Sequence, residues 1–292
     1  MPFTLVARSM SKNTIKTFVL LTAFGGLFML IGSFFGTGGL FIGLLLGLAL
    51  VGGSYWFSDK LAVASAGAKP VEERDAPELY AIVRDLAQRA GEPMPRIFLS
   101  PAAQPNAFAT GRNPRHAVVC VTHGLMQVLE TDEIRGVLAH EMSHVKNRDI
   151  LIGSIAAALA MAITFIARMA MFGAIFGGGG GGRDNEGGGV FGALLLTILA
   201  PVAALVIQMG ISRSREYEAD HSGAELLGSG ESLARALEKI EAYAKQVPMD
   251  VPPAQATAYI VNPLTGRRFE FSNLFTTHPP TAERVARLRH QF

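Results

Sequence analysis

The segment His140-Glu141-Met142-Ser143-His144 lies inside a predicted helix that begins near Thr131. Two acidic residues follow Thr131, as is typical of a helix N-terminus. One face of the predicted helix is apolar, formed by Ile134, Val137, Leu138 and Val145. Histidines at positions i and i+4 lie one turn apart on the same face, so both imidazoles can reach one metal ion at about 2.0–2.1 Å.

Glu141 directly follows the first of these histidines. Its carboxylate can point at a water molecule that the same ion activates. The pattern His-Glu-x-x-His on a helix is the signature of zinc peptidases, in which the glutamate is the general base. The segment therefore predicts a zinc centre with hydrolytic chemistry.

The charges of the chain are unevenly distributed. There are 26 Lys and Arg against 24 Asp and Glu, a formal net charge of +2. No nucleic-acid partner is expected, because such a protein would carry a marked basic excess. Charged residues make up 17% of the chain, below the roughly 25% of ordinary soluble proteins. Four stretches contain none, and they exclude a wholly soluble protein: 17–58, 150–167, 169–182 and 187–212.

The first uncharged stretch is long enough for two membrane helices, since one crossing takes about 20 apolar residues. We predict spans at 15–35 and 39–57, joined by a short turn at Gly36-Thr37-Gly38-Gly39. A signal peptide is the alternative for the first span. The immediate second span argues against it.

Two further spans are predicted at 150–176 and 190–211, separated by a glycine-rich loop at 177–189. Arg168 and Pro201 leave open whether these segments cross the bilayer fully. Basic residues flank the ends of the four spans on one side: Arg8, Lys12, Lys16, Lys60, Lys146, Arg148, Arg213 and Arg215. By the positive-inside rule, both termini and residues 59–149 are expected in the cytoplasm.

The remaining sequence forms two soluble pieces, 59–149 and 213–292, between and after the membrane hairpins 1–58 and 150–212. Helices are predicted at 77–90, 215–227, 231–245 and 282–290, besides the one that begins at Thr131. A strand is predicted at 96–99, and 106–110 is expected to pair with 116–122 around a turn at 111–114. The single cysteine, Cys120, lies in an apolar run and is expected in the core. The fold class is therefore α+β, mainly α.

A third metal ligand is expected after the fourth span, in Ser212-Arg213-Ser214-Arg215-Glu216-Tyr217-Glu218-Ala219-Asp220. On a helix, Glu216 and Asp220 share one face. Two acids beside two arginines would equally suit a solvated helix end. However, the third span starts directly after the His140–His144 helix, and the fourth ends directly before Glu216. A membrane hairpin returns the chain to the same side, which favours Glu216 as the third ligand.

These features together resemble the HtpX-type family of bacterial inner-membrane zinc metalloproteases, gluzincins related to the CAAX prenyl proteases. The resemblance covers nearly the whole chain. It is carried by the four hydrophobic segments, the His140–His144 motif, Arg215-Glu216-Tyr217-Glu218-Ala219-Asp220 and Thr277-His278-Pro279-Pro280-Thr281-Ala282-Glu283-Arg284.

The resemblance implies a zincin-like protease domain with one Zn²⁺ per chain, bound by His140, His144 and Glu216. It implies that Glu141 is the catalytic base. Asp220 matches the aspartate of a Glu-x-x-x-Asp motif and would orient a ligand histidine, fixing its tautomer.

His278 and Arg284 match a family segment that is thought to stabilise the oxyanion of the tetrahedral intermediate. The alternative is that residues 278–280 form a helix entry and Arg284 pairs with an acid. Asn106, Ala107 and Phe108 resemble the edge strand with which zinc peptidases bind substrate through main-chain hydrogen bonds.

The implied activity is hydrolysis of peptide bonds in misfolded or damaged membrane proteins, on the cytoplasmic side of the bacterial inner membrane. The expected partners are protein substrates and the lipid bilayer. An intramembrane site-2-type protease is disfavoured because residues 130–149 carry too many charges for the bilayer core. A prenyl-protein endopeptidase would usually be longer, with more spans. A zinc-containing scaffold would need a fourth protein ligand, commonly cysteine.

Overall fold

A computed structural model of the chain describes residues 36–147, 149–152, 155, 213–247, 260 and 279–292, together with 21, 22, 25, 26, 28–30, 32 and 33. The helices are α1 (Gly36–Ser65), α2 (Pro77–Ala90), α3 (His123–Val128), α4 (Thr131–Lys146), α5 (Arg213–Leu227), α6 (Glu231–Gln246) and α7 (Thr281–Gln291). The strands are β1 (Lys69–Pro70), β2 (Arg96–Ser100), β3 (Ala107–Thr110) and β4 (Val118–Thr122). The predicted class, α+β and mainly α, is confirmed for these residues.

The helices and strands predicted in the two soluble pieces are all present, with ends that differ by at most two residues. The short elements β1 and α3 were not predicted from the sequence. β1 is only two residues long and exists because it pairs with β2. α3 is too short for a helical period; the Thr122 hydroxyl caps it by accepting the Leu125 N–H at 3.1 Å.

The four strands form one sheet in the order β1-β2-β4-β3. β3 and β4 pair antiparallel, with Ala109 opposite Val119, which confirms the predicted hairpin. β2 pairs with β4 in parallel, with Ile97 opposite Val119, and this pairing was not predicted. All five residues of β4 are buried because it lies between two neighbours. β3 is left at the edge of the sheet.

Helix α4 occupies the centre of the domain. It contacts α2, α5, α6 and β3, and most of its residues are buried. Its first turn is held by the Glu133 carboxylate, which accepts the Glu130 N–H at 2.9 Å. The core around it includes Leu86, Ile97 and Leu237. Among the described residues, the motif helix is therefore a buried core element that packs against protein on several sides.

Helix α1 is longer than the span predicted from the sequence. Residues 36–53 are apolar enough to cross a membrane, and this is the one such helix among the described residues. The predicted turn at 36–39 is shorter than expected: Gly36 has a left-handed φ of +80°, as in a turn, but residues 36–39 already form the first turn of α1. The helix continues to Ser65, through the position where the sequence placed the end of the membrane hairpin.

The glycines near the start of α1 serve helix packing. A Cβ on Gly32 would lie 2.2 Å from the Gly39 carbonyl oxygen, and one on Gly43 would lie 2.3 Å from that of Phe28. The described residues in 25–33 are helical. The short distances from Gly32 and Gly43 show that they pack closely against α1. Small residues permit such close approach of helices in membranes.

Several sequence predictions lie outside the described residues. These are the spans at 150–176 and 190–211 beyond their first few residues, the glycine-rich loop at 177–189, Arg168, Pro201 and His278.

Candidate active site

His140 and His144 lie on neighbouring turns of α4 and direct the same ring atom at one point. Their Nε2 atoms are 3.2 Å apart, and the two rings are almost perpendicular. His140 is 2% exposed. The His144 side chain is 17% exposed. Two ring nitrogens this close form a ready pair of metal ligands.

Glu216 on α5 completes the group. Its carboxylate oxygens lie 3.8 Å from His140 Nε2 and 3.7 Å from His144 Nε2. One donor atom from each of the three residues lies within 4.8 Å of the others. The placement depends on a close contact between α4 and α5, where a Cβ on Gly223 would come within 2.9 Å of the His140 backbone nitrogen.

This donor set fits a zinc ion. Two nitrogens bound tetrahedrally at about 2.0–2.1 Å would lie about 3.3 Å apart, close to the observed 3.2 Å. Two imidazoles and one carboxylate are a ligand set of catalytic zinc sites, which keep a fourth position open. The three residues that the sequence predicted as ligands are thus brought together.

Asp220 supports the first histidine. Its Oδ1 lies 2.9 Å from His140 Nδ1, although the ring N–H is not aimed straight at the oxygen. Burial raises the pKa of Asp220, but the ion pair with Arg284 outweighs it and holds that pKa well below its usual range. The aspartate is therefore a permanent anion that favours the tautomer with Nε2 free for a metal.

Asp149 supports the second histidine in the same way, although it was not predicted from the sequence. Both Oδ atoms lie 3.1 Å from His144 Nδ1, and Asp149 is 7% exposed. The buried Arg215 guanidinium is attracted by both Asp149 and Glu216. A signal existed in the sequence: an acid immediately before an uncharged stretch of membrane type, five residues after a ligand histidine.

Glu141 contacts the edge strand. Its Oε2 accepts the Ala109 N–H at 2.7 Å. Burial raises the pKa of Glu141, while the charges of His140 and His144 and the Ala109 hydrogen bond oppose the rise. A buried carboxylate with a raised pKa, next to the metal ligands, is suited to taking up and returning a proton near neutral pH.

Strand β3 presents alternate backbone groups in opposite directions. The Asn106 carbonyl accepts the Thr122 N–H at 3.0 Å. The even-numbered residues of this segment therefore direct their backbone N–H and C=O groups towards β4. Ala107 and Ala109 direct their backbone groups away from β4, and Ala109 reaches Glu141. The Asn106 side chain also faces the protein, accepting the Ile260 N–H at 3.1 Å.

Arg284 is fully buried and binds Asp220. Its Nε and Nη2 donate to the two carboxylate oxygens at 2.8 and 2.7 Å, and its Nη1 donates to the Ile260 carbonyl at 3.2 Å. A continuous series of polar contacts therefore runs from Asn106 through Ile260, Arg284 and Asp220 to His140. Of the two residues predicted at the oxyanion, Arg284 is directed to Asp220, and His278 lies outside the described residues.

A model of Peptidase family M48 matches residues 73–291 of the sequence. The chain belongs to peptidase family M48. Among its relatives, the protease HtpX homolog of Desulforapulum autotrophicum is 53% identical over 95% of this chain and 90% of its own length. That of Syntrophobacter fumaroxidans is 54% identical, covering 94% and 98%. The family resemblance stated from the sequence motifs is confirmed.

The fold is also similar to a solved structure, that of S. mikatae Ste24p. The TM-score is 0.52 at 24% identity, covering 96% of this chain and 66% of that one. At this identity the likeness establishes the fold alone. Family membership, the donor set and the apolar helix α1 together make the M48 chain a membrane-bound metalloprotease, a hydrolase that acts on protein substrates.

Proposed function

We propose that the metal is zinc and that the enzyme hydrolyses misfolded or damaged membrane proteins on the cytoplasmic side of the bacterial inner membrane. The observation that supports the chemistry is the convergence of His140 Nε2, His144 Nε2 and the Glu216 carboxylate, with Glu141 next to them. A zinc ion held by these three ligands would polarise the scissile carbonyl and lower the pKa of the attacking water to about 7.

Glu141 is the proton carrier in this proposal. Its carboxylate takes a proton from the attacking water and later delivers it to the leaving amine. The hydrogen bond from Ala109 holds one carboxylate oxygen in place and leaves the other to face the water. Asp149 and Asp220 act only through His144 and His140, by fixing the orientation of the rings.

Substrate binds in an extended conformation along β3. The outward backbone groups of Ala107 and the Ala109 carbonyl would pair with it, as in other cases of strand addition, while the Ala109 N–H stays bound to Glu141. Main-chain pairing places few demands on substrate side chains, so broad specificity is expected. Phe108 pairs with Cys120 of β4, and the Asn106 side chain accepts the Ile260 N–H, so both residues hold the strand in place.

Oxyanion stabilisation is assigned to His278. Arg284 contributes by holding Asp220, since its three guanidinium nitrogens already donate to Asp220 and Ile260.

For topology we retain four spans with both termini cytoplasmic, and domains at 1–58, 59–149, 150–212 and 213–292. The close packing of α1 against residues 25–33 supports the first hairpin.

The test is proteolysis of an unfolded model protein, and of the enzyme itself, in detergent. Wild type stripped of metal and reloaded with zinc is compared with Glu141→Ala, and zinc content is measured for both. We expect the variant to keep about one zinc per chain and to cut about 10²–10⁴-fold more slowly.

The matched control is Glu218→Ala, which removes an exposed carboxylate from α5 and should cut at the wild-type rate. Equal rates for Glu141→Ala and wild type would show that the active site is assigned wrongly. Zinc binding by both without any cleavage would favour a scaffold or a protease of narrow specificity.

A further inference from the structure

Helix α1 passes without a break from a membrane-type segment into the protease domain. Only 11% of the apolar window at 36–53 is buried within the protein. Immediately after it, Trp56 and Phe57 are 58% and 51% exposed. Aromatic side chains at this position in a spanning helix lie at the level of the lipid headgroups.

The last turns of α1 are fixed to the sheet. Asp59 forms an ion pair with Arg96 of β2 at 2.5 Å, and Val63 is buried. Just beyond the helix, the Ala66 carbonyl accepts the Ser100 hydroxyl at 2.6 Å. The height of the sheet above the bilayer is therefore set by α1.

The edge strand has its own attachment to α1. The Arg112 guanidinium lies 4.9 Å from the centre of the Trp56 ring, within the range of a cation–π contact. The turn that carries Arg112 is tightly packed and needs a glycine, because Gly111 has φ +134° and a Cβ there would lie 2.4 Å from the His116 carbonyl oxygen. Strand β3 itself also contacts α1.

Arg112 is the third residue after Ala109, whose N–H binds the Glu141 carboxylate. Three extended residues span at most about 10 Å. The Ala109 N–H that holds Glu141 therefore lies within about 10 Å, along the chain, of the residue that contacts Trp56.

We propose that Trp56 and Arg112 hold the edge strand at the headgroup level, so that the enzyme preferentially cuts peptide bonds close to the substrate's own membrane span. The preference arises because an extended segment can pair with β3 only where β3 lies, next to the bilayer. Trp56 and Arg112 are thereby specificity-determining residues. This inference rests on the proposed function.

The experiment uses the full zinc-loaded chain in vesicles of phosphatidylethanolamine and phosphatidylglycerol. The substrates are single-span proteins with a Gly/Ser tail that carries one cleavable cassette, taken from a site mapped in the unfolded soluble protein. The cassette begins about 5, 15, 30 or 45 residues from the span, at up to about 3.3–3.6 Å per residue. The same cassette without a span measures basal proteolysis.

Wild type should cut fastest at the two shorter spacings. The rate at the longest spacing should be about fivefold lower than at about 15 residues, as effective concentration falls with roughly the −3/2 power of linker length. Trp56→Ala and Arg112→Ala should flatten this profile while cutting the soluble cassette within about twofold of the wild-type rate. Trp56→Phe keeps a ring face for Arg112 and should restore the preference for short spacings. Arg115→Ala, an exposed arginine in the same turn, is the matched control and should keep the wild-type profile.

A peak at 30 residues or more, or a profile unchanged in both alanine variants, overturns the proposal while leaving the protease function standing. Failure of wild type to cut even the soluble cassette overturns both.

Discussion

His140 and His144 present Nε2 to a common point because each Nδ1 faces a buried carboxylate. The role of Asp220 was implied by the family resemblance, through its match to a Glu-x-x-x-Asp motif. Asp149 was not predicted, because it lies beyond the last turn of α4, where helical spacing no longer indicates which side chains meet. The backbone returns it to the histidine: the Asp149 N–H donates to the His144 carbonyl at 3.2 Å.

Asp149→Asn should therefore lower zinc affinity, because an amide attracts the imidazole N–H less strongly than a carboxylate. Loss of such a partner typically costs 10–100-fold in metal affinity, and we expect about that. Zinc competition with a chromophoric chelator measures it directly. Asp75→Asn, an exposed aspartate in the turn before α2, is the control and should bind zinc like wild type. Unchanged affinity in Asp149→Asn would mean that His144 needs no support from this side.

Arg284 shows how a residue can be identified correctly from a motif while its contacts differ from expectation. Its match to a family segment implied a role at the oxyanion. In the fold it is fully buried, and a buried charge is costly unless it is paired and hydrogen-bonded. Asp220 and the Ile260 carbonyl provide those partners. The alternative weighed from the sequence, pairing with an acid, is the one observed.

At the scale of helices, the site depends on how closely α4 and α5 approach. The sequence predicted both helices and, from the membrane hairpin between them, that they lie side by side. It could not predict the separation, because the contact is made by a glycine in an otherwise ordinary helix. Gly223 lies against Ala139 and His140, with contacts of 2.9–3.0 Å to a built Cβ.

Gly223→Ala should thus weaken both the fold and the metal site. In an exposed helix the change would gain about 1 kcal/mol from propensity. Here overpacking should cost about 1–3 kcal/mol and move Glu216 away from the histidines. We expect a lower melting temperature and lower zinc affinity. Ser222→Ala, at the neighbouring position of α5, should leave both unchanged. A Gly223→Ala protein that is more stable with full zinc affinity would contradict the close contact.

In the sheet, local sequence patterns predict the pairing of strands that are neighbours in the chain but not the pairing of distant strands. The β3–β4 hairpin follows from two apolar runs around the turn at 111–114, which are neighbours in sequence. The parallel pairing of β2 with β4 joins strands separated by β3, and local alternation does not specify it. The end of α1 was likewise placed too early: Asp59 and Lys60 resemble a membrane exit, but Asp59 pairs with Arg96 and the helix continues.

For the whole molecule, uneven charge separated the membrane-type stretches from the protease pieces, and α1 bears out that division for the part described. In the part of the chain that the structure describes, the motif helix α4 packs against α2, α5, α6 and β3, which agrees with disfavouring a site-2-type enzyme. What composition cannot give is how the two parts are connected. Helix α1 joins them without a break, and contacts such as the Asp59–Arg96 ion pair attach its end to the sheet.

Metal binding should stabilise the whole protein in a pH-dependent manner. In protein stripped of metal, burial lowers the pKa of His144, but attraction by Asp149 and Glu216 outweighs it and raises that pKa to about 10. The imidazolium–carboxylate pair then stabilises the fold fully below the unfolded pKa of about 6.5 and is lost as pH rises towards 10. Zinc needs the deprotonated ring, so its binding must release this proton.

As pH rises, the stripped protein loses the stability of the His144–Asp149 pair, whereas zinc binding becomes stronger. The difference in melting temperature between zinc-loaded and stripped protein should therefore widen from pH 6 to pH 9. At a free zinc concentration 100 times the dissociation constant, binding adds about 2.7 kcal/mol of stability, and that ratio grows as pH rises. Thermal unfolding in detergent at several pH values measures the difference. Asp149→Asn, which removes the charge that holds the proton, should flatten its pH dependence. A difference that stays constant or narrows towards pH 9 would mean that zinc displaces no proton from His144.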